Sequence, residues 1–386
     1  MKNLFITSAS RTAVGSLGKS LKNESSERLG SSVISDVIKK SKIKEVEVDE
    51  VIMGQVLTGG TGQNPARQAA MHSGIPKEKP AYVVNQVCGS GIRSVVSGFQ
   101  SIKSGDSKIV IAGGQESMSL APHAIHLRDG KKLGDAEIID TMIKDGLWDA
   151  FHGYHMGITA ENVAEKFQVT RNEQDKFAFK SQEKALKAQK ENKFAEEIVN
   201  YKIKSKKAEI NFNKDEHPRD GVNLETLSRL KPVFKKDGTV TAGNASGIND
   251  GAAAVVIMSD NEAEKRNIEK LVSIKSWASC GVDPALMGTG PIPSAKKALD
   301  LAGWIAKDVD LFEINEAFAA QSIAVVKTLS VPEEKVNVNG GAIALGHPIG
   351  ASGTRILVTL IHEMIKRDVK KGLATLCIGG GMGIAM

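Results

Sequence analysis

Only three of the 386 residues are cysteines, at positions 88, 280 and 377, and no two lie close together. That excludes a disulfide scaffold and a CxxC redox or zinc motif, and points to a reducing compartment. There is no HExxH sequence and no carboxylate cluster, so no metal site is expected. No apolar run approaches the ~18 residues of a membrane span. The apolar residues 4–6 are too few for a secretory core, and the final Gly-Ile-Ala-Met carries no lipidation or peroxisomal signal. A cytoplasmic protein is the expectation. No GxGxxG pattern follows a strand-like stretch, which leaves a dinucleotide cofactor unsupported. Aromatic residues make up 4% of the chain, too few near its basic stretches for base stacking.

What is abundant is glycine, 38 residues, within a chain that is 41% hydrophobic. This composition reads as an α/β protein with many tight strand–helix turns, and the length suggests two or three domains. The net charge of +6 is concentrated: residues 180–237 hold 15 Lys or Arg against 10 Asp or Glu. Acidic residues interleave the basic ones. A solvated helical face explains that, a site for a phosphate-bearing small molecule explains it more sharply, and nucleic acid ranks third.

The chain is organised around residues 80–102. A short apolar strand over 81–84 breaks at Asn-Gln-Val-Cys88-Gly-Ser-Gly and continues with apolar residues at 92, 95, 96, 99 and 102. That spacing is helical, with Gly105 placed as a C-terminal cap. Cys88 therefore sits in a glycine-rich turn at a helix N-terminus, where free N–H groups and the helix dipole favour thiolate. The geometry resembles an elbow that exposes a nucleophile; the plainer alternative is a cysteine packed in a turn. Residues 13–20 match a permissive phosphate-loop pattern, but residues 21–26 intervene before the next helical stretch, against a P-loop. Strands over 51–57 and 109–114 alternate with helices, which implies parallel pairing. Residues 118–246 change texture, with helices over 159–167 and 171–192, no interleaved strands, and an aromatic, histidine-bearing loop over 147–157. The apolar run 252–258 reads as a return to the first sheet.

The last third repeats the first. Ser352-Gly-Thr-Arg355 mirrors Ser90-Gly-Ile-Arg93 at an offset of 262, each followed by an amphipathic helix and a strand ending in glycines. Two similar α/β halves facing each other are expected. The second copy places His347, between Gly346 and Pro348, opposite the Cys88 elbow, in a stretch too glycine-rich for helix or strand. It is a reasonable general base. Cys377 ends a buried strand ahead of Gly379-Gly-Gly-Met-Gly383, whose amides are suited to an oxyanion; an inert core cysteine is the alternative. Asn315 follows a strand, able to orient a water or a carbonyl. Cys280, without a polar partner in sequence, reads as structural.

Together, Asn85-Gln-Val-Cys88-Gly-Ser-Gly, Asn315-Glu-Ala-Phe, Gly346-His347-Pro and Cys377-Ile-Gly-Gly-Gly-Met-Gly resemble the thiolase family over the whole chain, nearest its biosynthetic branch. The resemblance implies a thiolase fold: two duplicated βαβαβαβ halves in five αβαβα layers with an inserted loop domain. The halves would be residues 1–117 with 247–270, and 271–386; the CoA-binding insertion would be 118–246. It implies condensation of two acetyl-CoA to acetoacetyl-CoA and CoA, with reverse thiolysis. No cofactor beyond these thioester substrates, no nucleic acid or membrane partner, and a homotetramer follow from it. Cys88 would carry the acyl group. His347 would deprotonate Cys88 and, with a water on Asn315, frame one oxyanion hole. Cys377 would remove the α-proton, and the amides of Cys88 and Gly379 would form a second hole. Ser246, Arg219, Leu147, His155, Met156, Ala317 and Phe318 match the positions that line the coenzyme A pocket, with Arg219 at the adenine-phosphate end. The chain departs from the family at Gln86 and at Ile92-Arg93. It also stops at Met386, short of where relatives continue, which is expected to weaken the edge of the second sheet. A broad-range 3-ketoacyl-CoA thiolase would use the same residues. A β-ketoacyl synthase would carry histidine in place of Cys377. A hydroxymethylglutaryl-CoA synthase or a non-catalytic acyl-CoA binder would share the scaffold.

Overall fold

A strand that is apolar on both faces needs cover on both sides, and the run Ala252 to Met258 is of that kind. The computed structural model describes residues 3–204 and 209–386; Met1, Lys2 and, from the basic stretch, Lys206 and Lys207 lie outside them. The first sheet contains β1 (Leu4–Arg11), β2 (Gly15–Ser16), β3 (Glu50–Gly54), β4 (Ala81–Val84), β5 (Ile109–Ser117), β6 (Asn249–Ser259) and β7 (Val272–Ser273). Its order is β7-β1-β6-β5-β3-β4, with β2 beside β6. β3 runs parallel to β4 and β5, as the helix alternation implies. β6, however, is antiparallel to both β1 and β5. The strand returning from the long excursion enters from the opposite end, because no helical crossover constrains its direction.

The second sheet is built from β8 (Ala278–Gly281), β9 (Leu311–Ile314), β10 (Gly372–Ile378) and β11 (Met382–Ala385), in the order β8-β11-β10-β9. β11 is thus an interior strand, bonded on both sides. The expectation that the last strand forms a weakened sheet edge is corrected: the edges are β8 and β9.

The helices that matter to the site are α1 (Ser26–Lys40), α2 (Pro65–His72), α3 (Ser90–Ser104), α4 (Met156–Lys166), α5 (Arg171–Lys190), α6 (Pro291–Ala302), α7 (Ala319–Leu329) and α8 (Ile349–Arg367). Alternation along β6 shows how they stack. Ala253, Val255 and Ile257 join Ile92 and Val95 of α3, Ile356 and Leu360 of α8 and Leu376 of β10 in a central core. The intervening Ala254, Val256 and Met258 pack instead against Leu29 and Val33 of α1 and Ala69 of α2. On the far side, Phe312 and Ile314 of β9 pack with Ala298 of α6 and Val325 of α7. The layers run helix, sheet, helix, sheet, helix, with α3 and α8 in the middle. Residues 118–246 are not free of strands: the described ones hold three short two-stranded pairs, including Tyr201–Lys204 with Glu209–Phe212. Among the described residues no helix is long and apolar enough to cross a membrane.

The two middle helices cross at their glycines. A Cβ on Gly91 would lie 2.5 Å from the backbone nitrogen of Thr354, and one on Gly353 would lie 2.5 Å from that of Ile92. Positions 91 and 353, and 92 and 354, are equivalent in the repeat, so the contact is reciprocal, as at a two-fold axis. Thr354 Oγ1 donates to the Gly91 carbonyl at 2.9 Å. Gly91→Ala or Gly353→Ala must therefore push backbone from backbone, and each is expected to cost ~3 kcal/mol. Urea unfolding that leaves the midpoint unmoved would show that the helices separate without penalty.

Candidate active site

The turn after β4 is strained and fully tied down. Val87 has φ 47°, a conformation that β-branched residues avoid. Its N–H donates to Asn85 Oδ1 at 3.0 Å, and its carbonyl accepts from Ser90 Oγ at 2.6 Å and from the Ser90 amide at 3.1 Å. Gln86 N–H donates in turn to Ser90 Oγ at 2.8 Å. At position 89 a Cβ would lie 2.4 Å from Ile378 Cδ1, so any larger residue than glycine would have to displace that side chain. The result is a strand–turn–helix elbow with Cys88 at its tip. The thiol accepts the amide N–H of Gly379 and of its own residue.

His347 comes from the equivalent place in the second half. It is not in a wholly irregular loop as expected: Ala342–Leu345 forms one helical turn and α8 starts at Ile349, directly after Pro348. Its backbone N–H donates to Asn249 Oδ1 at 2.9 Å, so β6 of the first half holds this loop of the second. The side chain is fixed by Ser352: Oγ lies 2.5 Å from His347 Nδ1 and donates to the Pro348 carbonyl at 2.9 Å. A hydroxyl has one proton. With that proton on Pro348, Ser352 accepts from Nδ1–H, and His347 Nε2 carries the free lone pair.

Cys88, His347, Cys377 and Gly379 open on one cavity of ≈ 360 Å³. Leu147, His155, Met156, Arg219, Ser246, Ala317 and Phe318 line the same cavity, which brings together eleven of the twelve residues singled out from the sequence. Arg219 also borders an adjoining pocket with Gln182 and His217. The twelfth residue, Asn315, does not line the cavity. It is fully buried, and among the described residues neither its Oδ1 nor its Nδ2 has a hydrogen-bond partner. Cys280 is half-buried in β8, away from the cavity. A second cavity of ≈ 400 Å³ lies among Ile6, Trp304, Met364 and Met386 and has no cysteine or histidine in its wall. Among the described residues no group of three or more His, Cys, Asp or Glu is placed to hold a metal.

Residues 4–261 match the family described as "Thiolase, N-terminal domain", and residues 268–386 match "Thiolase, C-terminal domain". The chain belongs to the thiolase family. It is 59% identical over 384 residues to an acetyl-CoA acetyltransferase of Rhizobium meliloti, covering 100% of this chain and 98% of that protein. It is 55% identical to the cytosolic acetyl-CoA acetyltransferase of Rattus norvegicus, covering 99% and 97%. A crystal structure of the Bacillus anthracis acetyl-CoA acetyltransferase superposes with TM-score 0.98 at 45% identity, covering 100% of this chain and 98% of that one. Human mitochondrial 3-ketoacyl-CoA thiolase superposes with TM-score 0.97 at 43% identity and the same coverage. The expected five-layer thiolase fold is therefore the observed one.

The electrostatics of this thiolase site overturn one expectation. Cys88 is not a stored thiolate: burial pushes its thiol up to about 11, outweighing the two amide hydrogen bonds. Burial and then the charge of Arg355 push His347 down to about 3, and burial also raises Cys377. The helix N-terminus was the right feature to notice, but desolvation decides the sign. Sequence reasoning missed Phe234, which stacks on His155 at 4.6 Å and meets Phe318 edge-on at 6.4 Å. It also missed Glu116, whose carboxylate accepts the amides of Val56, Leu57 and Gly350 and so ties the two halves beneath the elbow. Neither sits in a motif; only the fold assembles them. Because Cys88 rests as a thiol, its alkylation by iodoacetamide in a Cys280→Ser background should quicken ~10-fold per pH unit from pH 7 to 9.5. A rate that levels off below pH 8, followed by mass spectrometry of the Cys88 peptide, would mean a preformed thiolate.

Proposed function

We propose that this thiolase is an acetyl-CoA C-acetyltransferase, condensing two acetyl-CoA to acetoacetyl-CoA and CoA and catalysing the reverse thiolysis. One observation carries this reading: two thiols and an uncharged imidazole open on one cavity, with two amide N–H groups on the Cys88 sulfur. The relatives named above support the choice of acetyl-CoA.

In the first half-reaction Cys88 Sγ attacks the acetyl carbonyl while its proton passes to His347 Nε2. The carbon–sulfur bond to CoA then breaks, and the CoA sulfur takes that proton from His347. Asn315, whose amide has no hydrogen-bond partner among the described residues, is assigned the water that frames an oxyanion hole with His347. In the second half-reaction Cys377, its own proton released to solvent, takes the α-proton of a second acetyl-CoA. The carbanion attacks the thioester carbon, the bond to Cys88 Sγ breaks, the proton held by Cys377 passes to that sulfur, and Cys377 regains a proton from solvent. The amides of Cys88 and Gly379 stabilise the charge on the thioester oxygen. Burial holds the Cys377 thiol up, and acylation of Cys88 removes the one neighbouring thiol whose ionisation would oppose that of Cys377.

The CoA moiety is assigned to the wall formed by Leu147, His155, Met156, Ser246, Ala317 and Phe318, with Arg219 at the phosphate end. The same reading divides the chain into residues 1–117 with 247–270, a CoA-binding insertion 118–246, and 271–386. It places a homotetramer in the cytoplasm and gives the reaction no cofactor.

The two cysteines have different jobs, which makes the reading testable. Cys377→Ala should still exchange labelled acetyl groups between acetyl-CoA and CoA, yet lose condensation by roughly 10² to 10⁴, the worth of a positioned acid–base group. Cys88→Ala should lose both half-reactions. Condensation at near wild-type rate in Cys377→Ala would leave that residue a packed core thiol. For chain length, thiolysis of acetoacetyl-CoA should exceed that of a long 3-ketoacyl-CoA by at least ~10-fold in kcat/KM. Equal values would make the enzyme a broad-range 3-ketoacyl-CoA thiolase.

A further inference from the structure

Behind His347 lies a buried polar seam that the mechanism above does not use. On α8, Ser352, Arg355 and Thr359 are spaced three and four residues apart and so share one face of the helix. Each is buried. Ser352 holds His347 Nδ1, and Thr359 Oγ1 donates to Glu197 Oε1 at 3.0 Å. Arg355 projects between them, one helical turn beyond the residue that holds the base. On the facing strand, Leu311 belongs to the central core while Phe312 and Ile314 belong to the outer one. Alternation therefore turns Glu313, and Asn315 after it, toward α8.

Arg355 is poorly matched. The carboxylate nearest to it is Glu313, with Oε2 3.8 Å from Nη1, beyond hydrogen-bond reach. Among the described residues, Nε, Nη1 and Nη2 of Arg355 and Oε2 of Glu313 all lack a hydrogen-bond partner. Burial pushes Glu313 up to about 8, so at neutral pH it is chiefly uncharged. The other charges near Arg355 are those of Glu197, Asp215 and Arg11. The first two are already engaged by Arg11, through Nε to Glu197 at 2.6 Å and Nη1 to Asp215 at 2.7 Å. Burial disfavours the charge on Arg355, but a guanidinium stays protonated at neutral pH, so among the described residues it is a positive charge with no hydrogen-bonded carboxylate, in a medium that screens it weakly.

We infer that Arg355 is a positioning residue for the acyl-transfer base: lying one helical turn behind Ser352 without a hydrogen-bonded carboxylate, it adds to burial in opposing a charge on His347, which can take the Cys88 proton but not keep it. Around His347 are Ser352 and, behind it, Arg355 on α8, Asn249 on β6 and the two cavity sulfurs; Glu116, which accepts the Gly350 amide, and Asp250, beside Asn249, are both pushed up by burial, and Arg355 is the charge that bears on the imidazole. An imidazolium formed during attack is therefore repelled from behind and passes its proton on to the departing CoA sulfur. The inference rests on His347 being the base of the first half-reaction.

The test compares Arg355→Met, which removes the charge at similar length, with Arg355→Lys, which keeps it, and with Glu313→Gln. Two readouts are taken on each full-length protein. One is the ¹³C NMR titration of His347 Cε1; the other is the pH profile of acetyl exchange between acetyl-CoA and CoA. In Arg355→Met the His347 midpoint and the acid limb of exchange should both move up by at least one pH unit, and Arg355→Lys should restore both. Glu313→Gln should leave the midpoint in place, since it mimics a carboxyl that carries no charge. This variant decides the matter even if Arg355→Met does not fold, because a midpoint lowered further by Glu313→Gln would mean that Glu313 cancels Arg355, overturning the inference. An unmoved midpoint in folded Arg355→Met overturns it as well. A midpoint that moves while the acid limb of exchange stays would instead remove His347 as the base, and the inference with it.

Discussion

The constraint on which the site depends is the crossing of α3 and α8 at Gly91 and Gly353, where backbone meets backbone. Each helix starts from a catalytic turn: α3 from the Cys88 elbow, α8 from the His347 loop. A crossing this tight, near both N-termini, sets the separation of the two turns more finely than side-chain packing can. The remaining layers cover what that crossing arranges. The outer helices bury the far faces of the sheets, and the excursion between β5 and β6 supplies the cavity's outer wall through Leu147, His155 and Arg219.

Burial, rather than stored charge, sets the chemistry. A thiol pushed up to about 11 beside an imidazole pushed down to about 3 is a pair at rest in its neutral form across the physiological range. Proton transfer between them is uphill until a thioester carbonyl is present to receive the sulfur's electrons. The cavity thereby protects two thiols from adventitious ionisation and makes substrate the trigger for their reactivity. Amide N–H groups placed on the sulfur beforehand, from Gly379 and Cys88, need no rearrangement when negative charge develops.

Much of this was legible in the sequence, for physical reasons that differ from residue to residue. The Cys88 elbow was readable because strand, glycine-rich turn and helical spacing lie within one stretch of chain. The duplication was readable because Gly91 and Gly353 cannot be replaced where the helices cross. Strand direction was not: whether β6 runs parallel or antiparallel depends on where a long excursion re-enters the sheet, which no local pattern records. The sign of the Cys88 shift was misjudged because the helix terminus is local and desolvation is collective. Arg355 stood in plain view as part of the repeat, yet its counterpart Arg93 stacks over Trp277 instead, at 5.6 Å. Equivalent sequence positions have met unlike surroundings, so the repeat itself gave no hint of a role.

Asn249 carries a consequence beyond catalysis. It belongs to β6 in the first sheet, yet its side chain holds the backbone of His347 in the second half and, through Nδ2, the carbonyl of Gly15 at 2.9 Å. A duplicated fold would ordinarily leave two modules, each free to drift or to be swapped for a relative. Here one amide stitches the later copy's base to the earlier copy's framework, so a half transplanted from another thiolase arrives without the anchor that places its histidine. The two copies are held to a common history, and a chimaera joined at residue 268 inherits a site only if both parents agree at position 249.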